Sequence, residues 1–342
     1  MNLKQLSKQL NLSQTTVSRA LNGYPEVSEA TRKRVAAAAA EFNYSPNIRA
    51  RTLATGRSMS IGHIIPLSRQ NEIVNTVFAD FIAGAGRVYS DHGYTLTMSL
   101  VADEDEMSAY RGIAERVAVD GVIVQSPGTN DKRIEHLTRL GIPFMVHGRA
   151  SNVSTPYAWL DVNNKRAIEQ ATTYLLGLGH RRIALINGEE TMDFAIRRRL
   201  GYSAALSSAG LSVDPSLMFS DDMSEPNGHK AALEMLSDGT PPTAFVTSSI
   251  VLAWGVRRAI SELGLTLGQD VSVICFDDDI SYLPNRGAVP AFTAMRSSVK
   301  AAGSRCAQLL IERIEGTRTA LPQELWEAEL VIGASTGPGP FA

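Results

Sequence analysis

The sequence predicts an all-α head of three short helices, followed by an α/β body of two doubly wound, parallel-sheet lobes. Length is the first observation behind this reading: 342 residues, 44% hydrophobic and 20% charged, suffice for two or three domains of about 100–200 residues each. Helical spacing of apolar residues through residues 1–45 is the second. The third is the alternation of short apolar runs with helical patterns from Ser60 onward, which means parallel sheets covered by helices on both faces. About a dozen such strands exceed one comfortable doubly wound sheet, so two similar lobes are the better count.

In the head, Leu3, Leu6 and Leu10 recur at helical spacing, and Asn11-Leu12-Ser13 follows as a turn. Asn tolerates a left-handed backbone, and Ser13 can cap the next helix. That helix, Gln14–Leu21, sets Val17, Ala20 and Leu21 on one face and Gln14, Thr15, Ser18 and Arg19 largely on the other, before Asn22-Gly23 stops it. Ser28 caps a third helix, in which Val35, Ala39 and Phe42 form the buried stripe and the run Ala36–Ala40 permits close approach. Pro46 ends the module, because it restricts Ser45 and cannot donate a hydrogen bond. Asn47–Thr55 then reads as a helix of nine residues, too short to be stable alone in water; it should order only when something else holds it.

The body follows in order. Strands are expected at Ile61–Pro66, Thr95–Val101, Gly121–Ser126 and Pro143–Gly148, with helices near Val74–His92, Glu104–Val117 and Lys132–Leu140 between them. After a loop come helix Asn163–Leu178, strand Arg182–Asn187, helices Thr191–Ala209 and Glu225–Leu236, strand Thr243–Thr247, helix Ile250–Leu263 and strand Val271–Phe276. Strand Phe292–Arg296, helix Ser298–Glu315 and a last strand near Leu325–Ile332 are expected to cross back between lobes and make a hinged cleft.

The net charge of −2 is a cancellation. Residues 1–58 carry nine Lys/Arg against three Glu, a balance of +6, which leaves −8 for the remainder. A basic head on an acidic body implies a polyanion partner for the head and another task for the body. Two cysteines give no disulfide framework or thiolate metal site. No run resembles a secretion signal and none approaches the ~18–20 apolar residues that span a bilayer, so the expectation is a cytoplasmic chain with no membrane partner.

Leu3 to Asn22 has the layout of a helix-turn-helix, whose second helix enters the major groove and presents its N-terminal residues to base edges. Gln14 can pair with adenine, Thr15 can meet a thymine methyl, and Arg19 can reach a guanine or a phosphate; any small trihelical domain shares the spacing, and the basic excess is what favours DNA. The body has no Gly-x-Gly-x-x-Gly after its first strand, no Walker loop, no Gly-x-Ser-x-Gly and no His-Glu-x-x-His. Neither enzyme, cofactor nor metal is expected. His180 reads as structural. Asp277-Asp278-Asp279 follows a strand end, where ligands of open α/β sheets bind, and Arg197-Arg198-Arg199 opens a helix; a solvated loop and a surface ion-pair group are the plain alternatives. A carboxylate and a guanidinium in one cleft would suit the adjacent hydroxyls of a sugar.

The head segments Leu12–Gly23, Val27–Val35, Phe42–Asn47 and Ala50–Gly56 resemble the lactose/galactose repressor family of bacterial transcription regulators. The match continues through Leu178–Ala184, Arg198–Tyr202, Pro242–Val246, Phe276-Asp277-Asp278 and Glu329–Gly337, so it covers essentially the whole chain. Phe144–Arg149 and Phe276–Asp279 are similar to the α-glucoside-utilisation subgroup.

The resemblance implies a helix-turn-helix domain at 1–45, a hinge helix at 46–58, and an effector domain of periplasmic-binding-protein type. Its N-terminal lobe would take 59–159 and 292–318, and its C-terminal lobe 160–291 and 319–337. It implies a repressor that works as a homodimer on a near-palindromic double-stranded DNA operator, under allosteric control by a small sugar. No leucine heptad follows Thr336 and Gly337–Ala342 is short and flexible, so a dimer rather than a tetramer is expected. The implied DNA contacts are Leu3, Ser13, Gln14, Thr15, Thr16, Ser18, Arg19, Asn22, Tyr44, Asn47 and Ala50, with Leu53 as a minor-groove wedge. The implied effector contacts are Arg198, Asp277 and Ser249, the last replacing a polar pair common in the family, with Phe78, His147, Arg149 and Trp159 on the other lobe's rim. A sugar receptor without a DNA role, or a ligand-dependent activator or corepressor-type regulator, are the alternatives.

Overall fold

The computed structural model describes residues 2–21, 24–44, 57–67 and 75–341. The chain divides into two compact units, Met1–Met59 and Ser60–Ala342. The first contains α1 (Leu3–Leu10), α2 (Gln14–Leu21) and α3 (Glu29–Glu41). A capping box opens α1: the Asn2 side chain accepts from Gln5 N at 2.9 Å and the Gln5 side chain accepts from Asn2 N at 2.9 Å, which satisfies donors the helix leaves unpaired. Asn11 ends it in the left-handed region at φ 51°. Ser13 Oγ accepts from Thr16 N at 3.0 Å, and Ser28 caps α3 in the same way. Leu6, Val17, Ala20, Val27, Val35, Ala38 and Ala39 form the core of this unit, with Leu3, Phe42 and Tyr44 packed at its edge.

The second unit contains two six-stranded sheets. Lobe one has β1 (Ser60–Pro66), α4 (Thr76–Asp91), β2 (Thr95–Val101), α5 (Glu106–Glu115), β3 (Gly121–Gln125), α6 (Lys132–Leu140), β4 (Phe144–His147) and β5 (Trp159–Val162). Lobe two has α7 (Asn164–Gly177), β6 (Ile183–Asn187), α8 (Asp193–Ser208), β7 (Met218–Ser220), α9 (Glu225–Leu236), β8 (Ala244–Thr247), α10 (Ile250–Glu262), β9 (Ser272–Asp277) and β10 (Thr293–Arg296). The chain then returns through α11 (Val299–Ile314) and β11 (Gln323–Trp326) to lobe one, and ends in lobe two with β12 (Glu329–Val331). The sheet orders are β11-β5-β4-β3-β1-β2 and β12-β10-β9-β8-β6-β7. All pairs are parallel except β10 with β12. The central strands are buried along nearly their whole length, as strands covered on both faces must be.

Sheet pairing corrects the expected boundaries. Trp159–Val162, read as loop, is a strand: Asp161 breaks its apolar pattern and two arginines neutralise that carboxylate. Lobe one therefore runs to Val162, not residue 159. β10 pairs with β9, so Thr293–Arg296 belongs to lobe two. The single last strand is two: β11 pairs with β5 in lobe one and β12 with β10 in lobe two. The chain thus crosses between lobes at Val162–Asn164, Arg296–Val299 and Trp326–Glu329.

Helices cross closely through glycines. A Cβ on Gly84 would lie 2.0 Å from the Lys300 carbonyl oxygen, and one on Gly303 2.1 Å from that of Phe81, joining α4 to α11. Gly201 of α8 meets the Lys165 carbonyl of α7 at 2.1 Å in the same sense. The C-terminal segment, expected to be flexible, is docked: Gly339 N donates to Leu178 O at 2.6 Å and His180 bonds Thr243, Ser272 and the Gly337 carbonyl. Among the described residues no helix is long and apolar enough to cross a membrane.

Candidate functional site

A cavity of about 230 Å³ lies between the lobes at the C-terminal ends of their strands, the usual place for a ligand on open α/β sheets. Lobe one lines it with Phe78 and Phe81 of α4, Gln125 at the end of β3, His147 at the end of β4, and Asp161 of β5. Lobe two supplies Asn164, Glu189, Phe194, Arg198, Asp222, Phe276 and Asp278.

Arg198 is 6% exposed. Its Nε donates to Asn164 Oδ1 at 2.8 Å, and Nη1 donates to the Ser248 carbonyl. Its guanidinium carbon stands 4.1 Å from the Phe276 ring centroid and 4.9 Å from that of Phe194, so two aromatic faces hold the cation. Burial lowers its pKa to about 10, against the pull of Asp278 and Asp161; it stays charged at neutral pH. Asp278 is the opposite case. Burial raises its pKa to about 7, with Arg198 pulling down and Asp277 pushing up. His147 donates through Nδ1 to Gln125 Oε1 at 2.9 Å and rests on Phe81 at 4.6 Å between ring centroids. Burial lowers its pKa to about 4, leaving a neutral imidazole.

A network beside the cavity ties the lobes together. Arg197 of α8 donates to Asp161 Oδ2 at 2.7 Å and to the Arg149 carbonyl at 2.7 Å, while its Nε reaches Asp193 Oδ1 at 2.5 Å. Arg149 Nε donates to the same Asp161 oxygen at 2.9 Å, and Ser151 Oγ donates to Asp193 Oδ1 at 3.0 Å. On another side, Ser281 N donates to Asp80 Oδ2. Asp161 and Asn164 therefore belong both to the cavity wall and to the seam between lobes.

In the head, Gln14, Thr15 and Arg19 are exposed along α2, while Val17 and Ala20 face the core.

Comparison with known proteins agrees with these features. Residues 2–47 match the pattern for bacterial regulatory proteins of the lacI family, and residues 172–336 that for a periplasmic binding protein-like domain. The chain is 44% identical to the HTH-type transcriptional regulator AglR of Rhizobium meliloti (strain 1021), over 99% of this chain and 95% of that one. The chain belongs to the lacI family. Among solved structures, the cellobiose complex of the regulator CelR has a TM-score of 0.71 at 27% identity, covering 98% of this chain and 99% of that one. The lac repressor dimer bound to operator and the anti-inducer ONPF matches in fold, with a TM-score of 0.82 at 24% identity over 98% and 99%. As a lacI-family member the protein is a DNA-binding transcriptional regulator and not an enzyme.

Within this lacI-family body the structure brings Arg198, Phe78, His147 and Arg149 to the cavity and leaves three expected residues out of it. Asp277 is fully buried: it accepts from Asp279 N at 2.8 Å and from Arg296 Nε at 3.2 Å. Its neighbour Asp278 lines the wall instead. Ser249 Oγ is spent capping α10, accepting from Leu252 N at 3.2 Å. Trp159 lies in an outer groove, where Arg149 covers its ring at 4.9 Å. Asp161, Asn164, Glu189 and Asp222 were missed; Asp161 lies within β5, and only places just beyond β5, β6 and β7 could have marked the other three. In the head, Ser13 and Thr16 bond to each other at 2.8 Å, Thr16 and Ser18 are half-buried, and Leu3 and Tyr44 pack on the core. Asn22, Asn47, Ala50 and Leu53 lie outside the described residues.

Proposed function

We propose that this regulator is a repressor whose operator affinity is set by a small sugar bound in the interlobe cavity. The observation that carries the reading is the buried Arg198, clamped between Phe194 and Phe276 with Asp278 nearby. A guanidinium and a carboxyl together meet adjacent hydroxyls that both donate and accept, and aromatic faces suit the C–H faces of a sugar ring. CelR, a relative with cellobiose bound, supports the same ligand class. The α-glucosides suggested by Phe144–Arg149 are the first sugars to test.

The effector would touch Phe78, His147 and Asp161 of lobe one and Arg198 and Asp278 of lobe two. Its binding energy then depends on how the lobes meet, which is what couples a ligand to a conformational equilibrium. A coupling of ~1–3 kcal/mol would change operator affinity by about 5–150-fold. The segment 46–58 is the element that would receive the change, folding on DNA with Leu53 as the minor-groove wedge. Gln14, Thr15 and Arg19 would read bases, and the remaining head residues would position the helix on phosphates.

The working form would be a cytoplasmic homodimer. Met98 and Leu100 stay exposed on β2, an edge strand, where a second copy would cover apolar surface that natural edges otherwise avoid. A thermal-shift panel of mono- and disaccharides on the full chain tests the site. At least one sugar should raise the melting temperature, and Arg198→Ala should remove the shift. An unchanged shift in that variant would discard the site.

A further inference from the structure

The cavity's charges are unevenly matched. Arg149 and Arg197 share Asp161, and Arg197 also pairs with Asp193, so these four charges balance. Among the described residues, no cationic nitrogen comes within 4.0 Å of Glu189, Asp222 or Asp278. Arg198 is the other cavity guanidinium, yet Nε and Nη1 are committed to Asn164 and Ser248 and both its faces carry phenyl rings. It has one nitrogen, Nη2, left to offer and cannot form the two-pronged fork that grips a phosphate. A helix N-terminus could otherwise receive an anion. α8 reaches the cavity through Met192 with Asp193 in its own first turn, and the starts of α4, α7 and α11, which also line it, are capped by the side chains of Asn75, Asn163 and Ser298.

We infer that the cavity admits a neutral saccharide and rejects its phosphate ester, with Glu189, Asp222 and Asp278 setting the discrimination. The inference rests on the sugar-sensing reading and specifies its ligand class. A hydroxyl can donate to each of these carboxylates and accept from Arg198 Nη2. A phosphate monoester, at about −1.5 to −2 charge near neutrality, would meet three carboxyl groups that have no cationic partner among the described residues, Glu189 and Asp222 at the open side of the cavity and Asp278 deeper in it, and like charges at that range repel.

The test is calorimetric titration of the full chain with glucose, maltose, sucrose and trehalose, each beside its 6-phosphate (the 6′-phosphate for maltose). At least one neutral sugar should bind, with its ester about 100-fold weaker or undetectable. The Glu189→Gln/Asp222→Asn double variant should narrow that gap about tenfold, and Asp278→Asn alone should narrow it less. An ester that binds as tightly as its parent overturns the inference and leaves sugar sensing standing, as does a gap unchanged in these variants. If neither class binds, the sugar reading falls and the inference with it.

Discussion

Arg198 and Asp278 show how unevenly single side chains declare themselves. Arg198 was legible through the family resemblance of Arg198–Tyr202, in which Gly201 lets α8 press on α7 because a Cβ there would lie 2.1 Å from the Lys165 carbonyl oxygen. The acidic partner was not. Three adjacent carboxylates follow β9, and a strand end that turns one residue early or late exchanges which of them is buried; Asp277 is tied to Arg296 while Asp278 faces the cavity. Because burial holds the Asp278 pKa near 7, its stabilising contribution is present in acid and lost as pH rises through that value. The loss accumulates between the ordinary value of 3.8 and about 7, so Asp278→Asn should raise ligand-free stability more at pH 8 than at pH 5, as read by urea denaturation; equal changes at both would refute this. His63 works in the opposite sense. Burial lowers its pKa to about 4, so stability is lost as pH falls from 6.5 toward 4, by on the order of 3 kcal/mol. His63→Asn should flatten that limb of the profile.

Among the elements, helices were read well because their ends announce themselves. Ser13 and Ser28 cap where expected, and α2, α6 and α9 fall within the residues their periodicity marked. Two short strands were not legible. β7 is three residues long, and β5 carries a charged residue whose compensation comes from distant parts of the chain, so no local pattern could reveal either. Tight helix crossings are equally silent in sequence, and they yield a prediction. Gly84→Ala places a Cβ on the Lys300 carbonyl oxygen at 2.0 Å, and forcing α4 from α11 should cost roughly 1–3 kcal/mol. Urea midpoints measure it; an unchanged midpoint would mean that the crossing relaxes freely.

For the whole molecule, the charge split remains the most informative number in the sequence. A head of +6 and a remainder of −8 predict operator affinity that falls steeply with salt, since each phosphate contact releases counterions. The body, Ser60–Ala342, is a compact unit of its own, so deleting residues 1–58 should abolish DNA binding yet preserve stabilisation by the sugar; loss of both would contradict the division of labour. The coupling between cavity and operator is tested most directly by fluorescence-anisotropy titration of the full chain on its operator, with and without saturating sugar. Wild type should change its operator affinity about 5–150-fold while Arg198→Ala binds operator and does not respond. An affinity indifferent to sugar in the wild type, or a response that survives in the variant, would contradict control from this cavity.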